Sequence, residues 1–74
     1  MILVSMTNCM PCKMVKQYFQ ENNIAGIEIV NVEDREDLVE QYSIKQTPTL
    51  ILDNGTTLAG KDKIIEYFEG DEDE

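Results

Sequence analysis

The chain has two cysteines, Cys9 and Cys12, with only Met10 and Pro11 between them. That spacing suits the making and breaking of a disulfide by attack of a thiolate. The apolar run Ile2-Leu3-Val4 precedes the pair, and a stretch with helical spacing follows it. At such a strand-to-helix junction Cys9 takes the N-cap position. Unpaired N–H groups and the helix dipole favour negative charge there, so the Cys9 thiol is expected to ionise more easily than a free one. Cys12 lies one turn along on the same side, more buried, and would act second. Lys13 and Lys16 are the bases nearest in sequence and read as ordinary surface lysines, because exposed charges act weakly.

Other uses of the pair fit less well. A zinc site needs four ligands, and the chain offers two sulfurs and no histidine, so nearby carboxylates or a second copy would have to complete it. An iron–sulfur cluster has the same shortage. A structural disulfide this short closes too small a loop to stabilise much. A dimeric metal or cluster carrier is thus the non-enzymatic alternative to a redox dithiol. No metal ligand is assigned, and the dithiol chemistry needs no cofactor beyond the Cys9–Cys12 disulfide itself.

Pro48 is the other informative position. It forces Thr47 toward extended geometry at the entrance to a strand. A cis Thr47–Pro48 bond would expose the Thr47 backbone N–H and C=O for pairing with an extended substrate peptide. From these residues alone a trans bond is the expectation.

Seventy-four residues support one small domain, expected over 1–70. Residues 71–74, Asp-Glu-Asp-Glu, are expected to form a frayed acidic tail. Fifteen acids against six bases give a net charge of −9, which argues against nucleic acid or an anionic membrane as partner. No apolar run reaches the length of a membrane span. Met1-Ile2-Leu3-Val4 is too short for a signal-peptide core and lacks a basic lead, so a reducing cytoplasm is the expected location and a monomer the expected state.

The elements that position the pair follow from pattern. Met1–Ser5 reads as a strand buried on both faces. A helix runs from near Cys9 to about Gln20, with Cys12, Val15, Tyr18, Phe19 and Asn22 on one face and Pro11 in its first turn. Residues 26–32 read as a strand rich in β-branched residues. A helix opened by the acids Glu33 to Asp37 follows, with Leu38, Val39 and Tyr42 inward. These acids read as a solvated helix start and not as a metal site. Residues 49–52 and 56–58 form a hairpin about Asn54-Gly55, whose sequence favours positive φ. Lys61 to Glu69 is a helix with Ile64, Ile65 and Phe68 inward, stopped by Gly70. The order is β-α-β-α-β-β-α, an α/β fold with a mixed four-stranded sheet flanked by three helices.

Asn8-Cys-Met-Pro-Cys-Lys-Met14 and Tyr42-Ser-Ile-Lys-Gln-Thr-Pro-Thr-Leu50 resemble the thioredoxin/glutaredoxin superfamily. The cysteine segment is most similar to NrdH-type redoxins, glutaredoxin-sized proteins with thioredoxin-like activity that supply electrons to ribonucleotide reductase. The proline segment resembles the corresponding region of thioredoxins. The resemblance implies a thioredoxin fold, a cis Thr47–Pro48 bond packed on the pair, Cys9 as nucleophile and Cys12 as resolving thiol. It implies a substrate surface at Thr7, Asn8, Met10, Pro11, Thr47, Pro48 and Gly60, and thioredoxin reductase or glutathione as reductant. The chain also departs from its relatives. Met6 lies near the place of the glutaredoxin lysine, and Ala59-Gly60-Lys61-Asp62 keeps one Gly and one Asp of the glutathione patch. Asn8 replaces the thioredoxin Trp, and Ile2-Leu3-Val4 holds no acid. These departures favour a protein disulfide as substrate over the alternative, a glutathione-linked glutaredoxin.

Overall fold

The computed structural model describes residues 1–70, and the expectation of a frayed acidic tail lies outside the described residues. The elements are β1 (Ile2–Ser5), α1 (Met10–Glu21), β2 (Glu28–Asn31), α2 (Glu36–Gln41), β3 (Thr49–Ile51), β4 (Thr57–Ala59) and α3 (Lys61–Glu69). The four strands make one mixed sheet in the order β2-β1-β3-β4. β1 runs parallel to β2 and antiparallel to β3, and β4 is antiparallel to β3. This is the mixed sheet expected from the element order, in the thioredoxin-like arrangement that the resemblance implied.

Register explains which face each strand residue serves. Leu3 sits opposite Leu50, and Leu50 opposite Leu58, so all three point the same way from the pleat. Under them lie Val15 and Phe19 of α1 and Ile64 of α3, and Leu3, Val15, Leu50 and Ile64 are fully buried. Phe19 meets Phe68 edge to face with ring centroids 5.3 Å apart. Val4 and Ile51 are also buried, on the opposite side of the pleat. Leu38 of α2 is buried as well, and Val39 of α2 borders a groove together with Val32.

Helix ends follow local chemistry. α1 stops at Asn22, where the chain turns left-handed at Asn23 (φ 55°), and Ile24 N–H donates to Phe19 O at 2.9 Å while Asn23 N–H donates to Gln20 O at 3.3 Å. That is a Schellman motif, and it returns Ile24 to the core. α2 closes the same way, with Ser43 at φ 53° and Ile44 N–H on Val39 O at 3.0 Å. Asn22 therefore does not face the core. It is exposed, and its Nδ2 donates to Tyr18 O at 2.9 Å.

The starts of α2, β2 and β4 differ from the sequence expectation. α2 starts at Glu36 and not at Glu33, because Asn31 claims the preceding donors. Its Oδ1 accepts from Glu33 N–H at 2.8 Å, and its carbonyl from Asp34 and Arg35 N–H at 2.9 and 3.0 Å. β2 begins at Glu28, which stands opposite Ile2 and donates its N–H to Met1 O at 3.0 Å. In the hairpin only Gly55 has positive φ (92°), and Asn54 does not. Gly55 N–H donates to Leu52 O at 2.9 Å and Leu52 N–H to Thr56 O at 2.8 Å. This is a three-residue loop ending in a left-handed glycine, which shifts β4 by one residue to Thr57–Ala59.

Leu50 joins the sheet to both α1 and α3 through one apolar contact cluster. Leu50→Ala should therefore cost about 2–5 kcal/mol, measured as a lower urea midpoint. That is a large share of the roughly 4–11 kcal/mol expected of a domain this size.

Candidate active site

The pair sits where β1 ends and α1 begins. Met6, Thr7 and Asn8 bridge the two elements, with Asn8 left-handed at φ 62°. Thr7 ties the loop to the end of β2, its Oγ1 accepting from Asn31 Nδ2 at 3.0 Å. Cys9 is the N-cap of α1 in extended geometry (φ −110°, ψ 110°). Its carbonyl accepts from Lys13 N–H at 3.0 Å, and its Sγ accepts from Cys12 N–H at 3.2 Å. Pro11 contributes no donor to this turn, so the Cys12 N–H is aimed at sulfur without a competitor at the preceding position.

Cys9 and Cys12 are joined as a disulfide, with Cα atoms 5.2 Å apart. Cys9 keeps 8% of its surface exposed and Cys12 only 1%. An incoming sulfur therefore meets Cys9 first. The buried polar side chains of the described residues are Ser5 and Thr49, neither ionisable, so no buried carboxylate stands beside the pair. Among the described residues no group of three or more His, Cys, Asp or Glu side chains is placed to hold a metal ion.

The Thr47–Pro48 bond is cis, as the resemblance implied and against the expectation from the two residues alone. Thr47 faces the pair: its carbonyl oxygen lies 4.0 Å and its Oγ1 3.7 Å from Cys9 Sγ. The loop is held from both sides. Thr49 Oγ1 donates to Gln46 O at 2.6 Å, and Gly60 N–H donates to Pro48 O at 2.8 Å. Gly60 adopts φ 98°, and a Cβ there would meet Gln46 Nε2 at 3.1 Å. Its part is to bring the start of α3 against Pro48. Among the described residues the Thr47 backbone N–H and carbonyl form no backbone hydrogen bond, leaving a free extended edge beside the sulfurs.

Two grooves flank that edge. One, of about 450 Å³, is lined by Pro11, Thr47, Pro48 and Gly60 together with Lys61 and Lys63. The other, more apolar, lies between Met6, Val32, Val39, Ile44 and Thr47. Met10 is 66% exposed, and Met6 and Met14 are exposed near it, giving the rim a flexible apolar character. The structure thus brings Cys9, Cys12, Pro11, Thr47, Pro48 and Gly60 together. Asn8 and Met10 stand exposed beside them.

Gln46, Lys45, Lys61 and Lys63 also border the site, and sequence spacing, which points only to Lys13 and Lys16 as nearby bases, misses them. Lys61 and Lys63 arrive through the return of β4 to the Pro48 loop, which distance along the chain does not reveal, whereas Lys45 stands two residues before Thr47. Lys16 in turn borders a groove with Glu28 and Asp34 at the β2 edge.

A thioredoxin-fold sheet with a Cys-x-x-Cys pair capping α1 and a cis-proline edge beside it defines a class of dithiol proteins. The profile of the thioredoxin domain family matches residues 1–68, and the chain belongs to that family. In structure it is similar to the thioredoxin-like protein BC3987, with a TM-score of 0.72 and 29% identity over 92% of this chain and 93% of that one. A threonine-to-alanine variant of that protein superposes with the same score and identity, over 92% of each chain. No curated protein matches the chain closely enough to serve as a relative. No described helix is long and apolar enough to cross a membrane.

Thr47 Oγ1 is placed to donate to a Cys9 thiolate once the disulfide is reduced. Thr47→Val removes that donor at nearly constant volume and should raise the pH at half-maximal Cys9 alkylation by up to about one unit. Iodoacetamide rates across pH on the reduced protein measure the shift.

Proposed function

We propose that the protein is a dithiol–disulfide oxidoreductase that reduces protein disulfides. The observation that carries this is the Cys12 N–H aimed at Cys9 Sγ, with the free Thr47 edge beside it. On reduction the Cys9 sulfur gains a negative charge, and the hydrogen bond and helix N-terminus stabilise that charge. A substrate strand pairs with Thr47, which brings one of its sulfurs to Cys9.

The thiolate of Cys9 then attacks that sulfur. A Cys9–substrate bond forms, the substrate S–S bond breaks, and the other substrate sulfur leaves as a thiolate that takes a proton from water. Cys12 loses its proton and attacks Cys9 Sγ. The Cys9–Cys12 bond forms, and the first substrate sulfur leaves as the second thiol. Two electrons have passed to the substrate. With no buried carboxylate at hand, the Cys12 proton leaves to solvent. A flavin-containing thioredoxin reductase restores the dithiol, and ribonucleotide reductase is one candidate substrate. The cytoplasm is the compartment in which such a dithiol stays reduced.

Insulin reduction tests the reading. Turnover is expected with thioredoxin reductase and NADPH as the reducing system. Turnover with glutathione alone would make the protein a glutathione-linked glutaredoxin instead. Cys12→Ser should accumulate a mixed disulfide with substrate, visible on a non-reducing gel, whereas Cys9→Ser should neither turn over nor trap. Trapping by Cys9→Ser would reverse the assigned roles.

A further inference from the structure

Charge is distributed unevenly over this acidic chain. No Asp or Glu occurs between Met6 and Gln20, the segment that holds both cysteines. None occurs between Gln41 and Leu52, the segment that holds Thr47 and Pro48. Asp53, the next acid, lies at the far end of the sheet, where its carboxylate meets the amino group of Met1, at the end of β1 remote from the cysteines. The acids of the β2–α2 region hold Arg35, which pairs with Asp37 at 3.2 Å and Glu28 at 3.8 Å.

The lysines lie on the other side of this division. Lys45 borders the apolar groove on one side of Thr47, and Lys61 and Lys63 border the groove on the other. Lys45 and Lys63 also share a third groove with Gln46 and Ala59. The one acid at this rim, Asp62, is paired with Lys61 at 3.1 Å. Among the described residues Lys45, Lys63 and Lys13 make no ion pair. The free edge of Thr47 is therefore flanked by unpaired cations in a protein whose net charge is −9.

We infer that this face docks extended protein segments whose disulfide cysteine is flanked by acidic residues. The inference rests on the dithiol reading above and names the substrate class for it. A strand paired along Thr47 places its neighbouring side chains over Lys45 on one side and Lys63 on the other. Carboxylates there meet unpaired ammonium groups, while lysines there meet like charge. Rim charges of this kind act on the rate of encounter and on partner choice.

The test uses the full-length reduced protein and three synthetic peptides with the same intramolecular disulfide, flanked by Glu, Ser or Lys. Reduction is followed in single turnover at about 0.1 M salt, where a Debye length of ~10 Å screens the remote acids more than the adjacent lysines. The expected order is Glu above Ser above Lys, with about three- to tenfold between Glu and Ser. In K45E/K63E the Glu-to-Ser ratio should fall to one or below, and in K45Q/K63Q to an intermediate value. Equal rates for the three peptides, or Lys fastest, would overturn the inference, as would a Glu preference unchanged in K45E/K63E. Failure to reduce even the Ser peptide would instead overturn the dithiol reading. Oxidised glutathione is the fourth substrate: if it reacts faster than the Glu peptide, the lysines serve a small thiol's carboxylates and the peptide-docking inference fails.

Discussion

The site depends on one local interaction, the capping of α1 by a sulfur. A helix leaves its first N–H groups unpaired, and something must accept from them. Here the acceptor at the Cys12 N–H is Cys9 Sγ, at 3.2 Å. A hydroxyl or carboxylate at this position would cap the helix at least as well. A cysteine adds redox chemistry, because the arrangement that caps the helix also stabilises a thiolate. Pro11 keeps the first turn helical without adding a donor, and Cys12 presents both the capping N–H and the second thiol. The cap and the thiol pair are thus carried by the same three residues, Cys9, Pro11 and Cys12.

The rest of the fold holds that turn against the Thr47 edge. Leu3 and Leu50 fix β1 to β3, and Val15, Phe19 and Ile64 fix α1 and α3 beneath them. With those packed, Thr47 must lie opposite Cys9, since β3 begins at Thr49 and pairs with Val4, two residues before Met6. Gly60 closes the frame by donating to Pro48 O. Its backbone conformation, φ 98°, is what strains any side chain there. The hydrophobic core sets the distance across which the two halves of the site meet, although no core side chain takes part in the chemistry.

Much of this is legible in the sequence. Leu3, Val15, Phe19, Leu50 and Ile64 follow from strand and helix periodicity, and Cys9 as N-cap follows from its place before Pro11. Asn31 is not legible as the residue that delays α2, because an Asx turn competes with a helix start only when its side chain points the right way. Asn22 falls on the apolar face only if helical spacing continues past the helix, whereas the chain has already turned at Asn23. Lys63 is not legible as a rim residue because it lies far along the chain from Thr47 and comes to its groove only through the β3–β4 return. The cis bond at Pro48 is decided by surroundings that a dipeptide does not contain, and only the family resemblance points to it.

The central claim is that the α1 N-terminus makes Cys9, and not Cys12, the reactive thiolate. Alkylation of the reduced protein with limiting iodoacetamide across pH, followed by peptide mapping, tests it directly. The account predicts label on Cys9 first, with half-maximal reaction below the roughly 8.5 of a free thiol. Label appearing first on Cys12, or a Cys9 midpoint at or above that of a free cysteine, would contradict it.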